Sequence, residues 1–212
     1  MSIFDQFYIN LLNTSYWELI AALTGIGSVW FARKENILVY PIGIISVVIY
    51  VFICFNAQLY GDAGINFFYA VVSLYGWYNW THKNGKVETL EISINKPSEQ
   101  FTGILLTILS FVGVLLIIRY FNRDNIAYLS SPVQYIDSLT TALFIIGMWQ
   151  MALKRVENWI YWIIGDIISI PLYFYKGLVF TSFQYMVFLI IAIMGYIEWR
   201  KRWVLINQSA LQ

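Results

Sequence analysis

The sequence predicts an all-α membrane protein with seven transmembrane helices. Hydrophobic residues make up 59% of the chain and charged residues only 12%, whereas soluble domains carry about 25% charged residues. So few charges could not cover this much apolar surface in water, so we expect lipid to surround most of the chain. A helix needs about 20 mostly apolar residues to cross the hydrocarbon layer. The predicted spans are Tyr16–Ala32, Ile37–Ala57, Ala63–Trp80, Phe101–Tyr120, Asp137–Leu153, Trp159–Lys176 and Phe180–Trp199.

The polar segments divide the chain into five parts. Residues 1–15 have no basic region ahead of their apolar residues, so we interpret them as an external segment rather than a cleaved signal peptide. Residues 16–80 hold the first three spans, and residues 137–199 hold the last three. Residues 81–136 contain the fourth span between two loops, the first of which could form a short hairpin. Residues 200–212 form a tail.

The first three spans and the last three share a sequence pattern, which predicts an internal repeat. Because one span lies between the two units, both enter the membrane in the same direction, as two parallel three-helix repeats joined by a linker helix. Binding sites in such folds lie near mid-membrane between the repeats; chance similarity between apolar helices is the alternative. The matches, offset by about 119 to 123 residues, are "KEN" (34–36) with "VEN" (156–158), "GIIS" (43–46) with "DIIS" (166–169), and "YGWYNW" (75–80) with "MGYIEW" (194–199).

Lys and Arg are distributed unequally between the two ends of the predicted bundle. Cytoplasmic loops carry the excess of these residues, so we expect an external amino terminus and a cytoplasmic carboxyl terminus. The amino-terminal side holds Arg119, Arg123 and Lys176. The opposite side holds Arg33, Lys34, Lys83, Lys86, Lys96, Lys154, Arg155, Arg200, Lys201 and Arg202.

Span six carries the most informative polar residue of the chain, Asp166. A carboxylate within a span costs about 2.5–3.5 kcal/mol, so it should face a cavity or a partner. At 100° per residue, Trp159, Trp162, Asp166 and Tyr173 fall within about 60° of one another. Two indoles and an anion on one face suit a flat, cationic ring. Alternatively, the tryptophans are interfacial anchors and Asp166 is a structural hydrogen-bond partner.

Other polar side chains within the spans are additional candidates for substrate binding. Those in span three have i, i+3, i+7 spacing and could hydrogen-bond a sugar or an amide, although packing between helices explains them equally well. The candidates are Asn66, Tyr69 and Ser73 in span three, Gln150 in span five, and Gln184 and Tyr185 in span seven.

The sequence offers no catalytic, metal or cofactor site. The single His, His82, lies in a loop, and there is no Walker P-loop, H-E-x-x-H, G-x-S-x-G or Cys/His metal spacing. Asp166 has no second carboxylate, His or Ser placed with it, which disfavours an intramembrane enzyme. The net charge of +1 gives no reason to expect a nucleic-acid partner. A small-molecule transporter is the favoured class, and a non-transporting membrane receptor or assembly protein is the alternative.

The chain resembles the PnuC family of vitamin transporters, best known for nicotinamide riboside uptake. The resemblance rests on "QLYGD…YGWYNW" (58–80), on "ENWIYWIIGDIIS…LYFYKGLVFTSFQY" (157–185) and on the W-x-x-W-x-x-x-N/D element at Trp159, Trp162 and Asp166. It implies a fold similar to SWEET sugar transporters, a homotrimer in the inner membrane, facilitated diffusion, and trapping of the substrate by a cytoplasmic kinase for NAD salvage.

The expected substrate is a cationic B-type vitamin, moved by alternating access of the two three-helix units around a site lined by spans two, three, six and seven. Nicotinamide riboside is the first candidate. Thiamine is the alternative, because both molecules are cationic heteroaromatics and the charge of Asp166 does not separate them.

Overall fold

The computed structural model describes residues 3–82 and 90–209, and within them the chain is almost wholly helical. The helices are α1 (Ile3–Asn13), α2 (Tyr16–Arg33), α3 (Val39–Asn56), α4 (Tyr60–Thr81), α5 (Pro97–Phe121), α6 (Ile126–Leu129), α7 (Val133–Ala152), α8 (Asn158–Tyr175) and α9 (Val179–Ser209).

Each predicted span coincides with one helix of at least 18 residues, from α2 to α5 and from α7 to α9. On length and composition alone, three helices of the described chain can cross a membrane: α3, α5 and Val179–Gln208 of α9. α5 begins at Pro97 rather than Phe101, because proline suits the first turn of a helix. α9 continues beyond Trp199 to Ser209, so its last turns are polar.

Two shorter helices, α1 and α6, were not predicted from the sequence. α1 lies against the start of α9, where the Val179 amide donates to Asn10 Oδ1 at 2.9 Å and the rings of Phe7 and Phe183 are 5.5 Å apart. α6 is a single turn whose Tyr128 amide donates to Asn125 Oδ1 at 3.1 Å. Neither helix has the length of a span.

The predicted hairpin in the first long loop lies partly outside the described residues. In the part that is described, Ser93 pairs with the α7–α8 connection instead of with a neighbouring strand of its own loop. The Ser93 amide donates to the Lys154 carbonyl at 3.0 Å, and the Val156 amide donates to the Ser93 carbonyl at 2.9 Å. The loop is therefore fastened to the second half of the chain.

Six helices form a closed ring of contacts. α2, α3 and α4 pack in sequence, α7, α8 and α9 do the same, and the two groups meet where α2 contacts α9 and α4 contacts α7. α5 packs against α7 and α4, and α1 packs against α9. The centre of the ring is therefore bounded by both groups of three helices.

Several backbone features of the two groups recur at a constant offset of 119 residues, the separation of Glu35 and Lys154. Glu35 and Lys154 both have positive φ (58° and 52°), and so do Gln58 and Gly177 (61° and 76°). α3 and α8 begin at the same offset, as do α4 and α9. The helix bounds follow this single offset and not the larger offsets of the "EN" and "IIS" sequence matches. The loops within the two groups therefore have the same length at these points.

Candidate binding site

A cavity of about 160 Å³ lies at the centre of the ring and is lined by all six of its helices. α2 and α3 contribute mainly small residues, including Gly25, Ser28, Gly43 and Ser46, which leave space beside the helix backbones. α8 contributes the charged residue Asp166 and the two indole rings of Trp159 and Trp162. The four predicted spans two, three, six and seven (α3, α4, α8 and α9) all line this cavity, and α2 and α7 also form part of its wall.

The most unusual group in this wall is the carboxylate of Asp166. The residue is 1% exposed, and neither carboxylate oxygen has a hydrogen-bond partner within the described chain. The indole N–H groups of Trp159 and Trp162 are also buried and unpartnered there. Leaving a buried polar group unpaired costs about 1–3 kcal/mol, and more for a charge. These three residues therefore offer acceptors and donors that a polar ligand can satisfy.

The two tryptophan rings are fixed by packing against other aromatic residues. The ring of Trp159 meets Trp199 edge-on, at 5.5 Å between centroids and an interplanar angle of 89°. The ring of Trp162 stacks on Phe144, at 5.2 Å and 24°. Edge-to-face and stacked pairs of this kind add stability beyond area burial, so both indoles keep a defined orientation at the cavity wall.

The structure brings five of the ten predicted site residues together at the cavity, from two different helices. Three come from α8 and two from α4, and their role in binding stays a prediction. They are Trp159, Trp162, Asp166, Tyr69 and Ser73.

Two other predicted residues, Tyr173 and Tyr185, lie beyond the cavity wall in a stack of rings. Trp162 stacks on Phe144, Phe144 on Tyr185 at 5.9 Å, and Tyr185 on Tyr173 at 5.0 Å. Tyr173 shares a face of α8 with Asp166, but seven residues correspond to about 10 Å along a helix. The angular argument concerned only the face of the helix and not the depth, and a role of Tyr173 in binding stays a prediction.

The remaining predicted residues do not line the cavity. Asn66 Nδ2 donates to the Asp62 carbonyl of its own helix at 3.0 Å. Gln150 is 1% exposed and lies next to Gly103 of α5. A Cβ built on Gly103 would lie 3.4 Å from Gln150 Nε2. Gln184 lies on α9. Helical spacing alone could not distinguish these contacts from contacts with a ligand.

Sequence reasoning missed Tyr40, which lies at the start of α3. Its side chain lines the cavity, the residue is 1% exposed, and its hydroxyl has no partner among the described residues. Tyr40 precedes Trp159 by the 119 residues that separate the two halves. Aligning the two halves of the sequence at this constant offset would have paired Tyr40 with Trp159. The "KEN" and "VEN" match instead shifted the alignment by three residues, about one helical turn.

Four aromatic residues are in contact near the start of α8, and two of them, Tyr40 and Trp159, line the cavity. We call Tyr40, Trp80, Trp159 and Trp199 the aromatic floor. Tyr40 meets Trp80 edge-on at 5.1 Å and 86°, Trp80 lies 5.9 Å from Trp199, and Trp199 meets Trp159. Tyr40 corresponds to Trp159 and Trp80 to Trp199 at the 119-residue offset. The row of contacts is therefore symmetric about the contact between Trp80 and Trp199.

The two central tryptophans of the aromatic floor connect the halves. Trp80 Nε1 in α4 donates to the Met151 carbonyl in α7 at 3.0 Å, and Trp199 Nε1 in α9 donates to the Ala32 carbonyl in α2 at 3.0 Å. Donors and acceptors are both related by the 119-residue offset. Lys154 Nζ lies 4.6 Å from the centroid of the Trp80 ring.

At the opposite end of the helices, charged groups meet near the end of α8. Lys176 Nζ contacts Asp137 Oδ1 at 2.6 Å, and the Tyr128 hydroxyl donates to Asp137 Oδ2 at 2.7 Å. Burial and this hydrogen bond raise the pKa of Tyr128 above its ordinary value. The phenol therefore stays protonated and keeps its bond to Asp137 at neutral pH.

Comparison with known proteins agrees with this architecture. A crystal structure described as the vitamin B3 transporter PnuC is similar to this chain with a TM-score of 0.66 and 22% identity, covering 95% of this chain and 89% of that one. The chain is 24% identical to the nicotinamide riboside transporter PnuC of Escherichia coli (strain K12), over 88% of this chain and 86% of the relative. It is 23% identical to the riboflavin/roseoflavin transporter RibM of Streptomyces davaonensis, over 93% and 87%.

The matching family is described as nicotinamide mononucleotide transporter, and its model covers residues 15–201. The family and the structural neighbour are transporters and not enzymes. A transporter family together with apolar helices indicates an integral protein of the inner membrane. The chain therefore belongs to the nicotinamide mononucleotide transporter family, that is, to the PnuC vitamin transporters.

Proposed function

We propose that this protein takes up nicotinamide riboside by facilitated diffusion across the inner membrane. The observation that carries the proposal is the Asp166 carboxylate, buried and unpartnered beside the N–H groups of Trp159 and Trp162 in the central cavity. A cationic nicotinamide ring provides the missing charge, and its flat face suits contact with the indoles. The ribose hydroxyls can pair with Tyr69 and Ser73, which line the same cavity.

Charge also ranks the other vitamins. Riboflavin, which the relative RibM is named for, is neutral at pH 7 and leaves a buried Asp166 without a counter-charge, which is costly. Thiamine carries a cationic ring and satisfies Asp166 as nicotinamide riboside does. Thiamine is therefore the alternative substrate, and it is compared directly in the experiment below.

The proposed architecture has seven spans, formed by two parallel three-helix units joined by α5. The units are α2–α4 and α7–α9, and the constant 119-residue offset between their features supports their equivalence. In alternating access the two units rock against each other around the cavity. The contacts that must open on one side are those of α2 with α9 and of α4 with α7.

We infer that the carboxyl terminus is cytoplasmic. Most of the described Lys and Arg residues lie at the end of the bundle that holds the aromatic floor, including Arg33, Lys154, Arg155 and Arg202. The aromatic floor then lies at the cytoplasmic end of the bundle. The family resemblance supports a homotrimer and trapping of the substrate by a cytoplasmic kinase.

Binding and flux on the purified protein test the proposal. Calorimetry with nicotinamide riboside, nicotinamide mononucleotide, thiamine and riboflavin should give the tightest binding for nicotinamide riboside. Liposomes should equilibrate labelled nicotinamide riboside without ATP or an ion gradient. Tighter binding of thiamine would change the substrate, and saturable binding without flux would favour a receptor. Accumulation above the external level under an imposed proton or sodium gradient would contradict facilitated diffusion.

A further inference from the structure

Two glycines that are 119 residues apart each lie against an aromatic ring of the cavity wall. A Cβ built on Gly76 of α4 would lie 2.5 Å from Cε1 and from the hydroxyl of Tyr40. A Cβ built on Gly195 of α9 would lie 2.6 Å from Cζ2 and Cη2 of Trp159. Both distances are shorter than real Cβ contacts, so neither ring can keep its place if a methyl group is added.

The displaced rings would have one direction in which to move. Tyr40 and Trp159 are each 1% exposed, and each is held edge-on by a tryptophan of the aromatic floor. Protein interiors are close-packed, so an added methyl group displaces the neighbouring side chains. The open space beside both rings is the cavity that they line, so an added methyl group would push either ring into it.

The polar atoms of the two rings both lack a hydrogen-bond partner within the described chain. The Tyr40 hydroxyl and Trp159 Nε1 are both buried, and the described chain provides no hydrogen-bond partner for either. Each is therefore free to pair with a ligand, one from each half of the ring of helices. A ring shifted by its glycine would misdirect this atom as well as narrow the cavity.

We propose that Gly76 and Gly195 are positioning residues, which set the ligand affinity of the cavity by letting the rings of Tyr40 and Trp159 pack directly against α4 and α9. This inference rests on the proposed function, since affinity for nicotinamide riboside is what it explains. It also assigns Tyr40 a direct contact with the ligand, as the counterpart of Trp159 in the first unit.

Alanine substitutions test the role of the glycines, and the chain offers a matched control. Gly64 lies in α4 like Gly76, but a Cβ there meets nothing within 4 Å in the part of the chain that the structure describes. Alanine favours helix over glycine, so a loss of binding has to come from the clash. For nicotinamide riboside, Gly76→Ala and Gly195→Ala should each raise Kd roughly 5- to 150-fold, the range for losing one aromatic stack. Gly64→Ala should change Kd less than about two-fold.

A double-mutant cycle separates positioning from a general structural role. Trp159→Phe removes the indole atoms that crowd Gly195, so adding Gly195→Ala in that background should change Kd less than about two-fold. An equal loss in both backgrounds would refute the proposal. If Gly195→Ala alone does not fold, the double variant should fold and bind like Trp159→Phe; failure of the double variant to fold would also refute it.

A ligand-free measurement keeps this inference distinct from the proposed function. In protein labelled with 5-fluorotryptophan, the fluorine resonance that Trp159→Phe removes should shift in Gly195→Ala and stay in place in Gly64→Ala. An unshifted resonance contradicts the positioning role. If wild-type protein binds none of the vitamins, the proposed function fails, whereas the fluorine shift still decides whether Gly195 positions Trp159.

Discussion

Glu35 and Lys154 occupy equivalent positions in the two halves of the chain, and their side chains form an ion pair. Lys154 Nζ lies 2.7 Å from Glu35 Oε1, and both residues have positive φ just after the ends of α2 and α7. Positive φ is uncommon for residues other than glycine. Lys154 also donates to the Leu90 carbonyl at 2.6 Å and is only 4% exposed. One buried cation thus joins both halves and the loop before α5.

Removing this cation should destabilise the fold more than removing its exposed neighbour. Lys154→Gln leaves the Glu35 carboxylate without its buried partner, and we expect a loss of about 1–3 kcal/mol in the free energy of unfolding. Arg202 contacts the same carboxylate at 3.0 Å, but its side chain is 41% exposed. Arg202→Gln should cost less than about 1 kcal/mol. Thermal unfolding in detergent measures both, and equal losses would contradict the special role of Lys154.

Loss of either cavity tryptophan should weaken ligand binding. Trp159→Leu and Trp162→Leu remove an aromatic face beside the proposed cationic ring, and each should cost about 1–3 kcal/mol, or roughly 5- to 150-fold in Kd. Trp77→Leu is the control, because Trp77 lies on α4, is 39% exposed and does not line the cavity. Calorimetry with nicotinamide riboside makes the measurement, and losses no larger than the control would exclude stacking.

The charge of Asp166 should matter for a charged ligand and not for a neutral one. Asp166→Asn keeps the shape and a polar partner but removes the counter-charge, so nicotinamide riboside should lose more affinity than its neutral dihydro form. Calorimetry with the two ligands on wild-type and variant protein makes the comparison. If both lose affinity equally, Asp166 contributes to packing and not to charge pairing.

Terminal fusions should show opposite sides for the two ends of the chain. The distribution of Lys and Arg predicts an external Met1 and a cytoplasmic Gln212. A reporter fused after Gln212 should give a cytoplasmic signal, and a reporter fused before Met1 should give an external signal. A periplasmic signal from the carboxyl-terminal fusion would invert the proposed orientation and place the aromatic floor outside.

The positions of the long helices followed from the sequence because apolar runs and helix-starting residues are local signals. The same is true of the face of α8 that carries Trp159, Trp162 and Asp166, since it depends only on 3.6 residues per turn. Depth along the axis is not encoded by that angle, which is why Tyr173 was included among the candidates. Gln184 was chosen for its polarity, and polarity alone does not identify the neighbour of a side chain.

The sequence by itself therefore determined that the chain is helical, that lipid surrounds it and that one helix carries an acidic, aromatic face. Only the tertiary structure decided which residues of the first unit meet that face. Tyr40 reaches the cavity because α2 packs on α9 and α4 on α7, and these contacts depend on side-chain fit between segments far apart in the chain. The hydrogen bonds of Trp80 and Trp199 to carbonyls of the opposite unit have the same origin, since a periodic pattern specifies the face of a helix but not its neighbour.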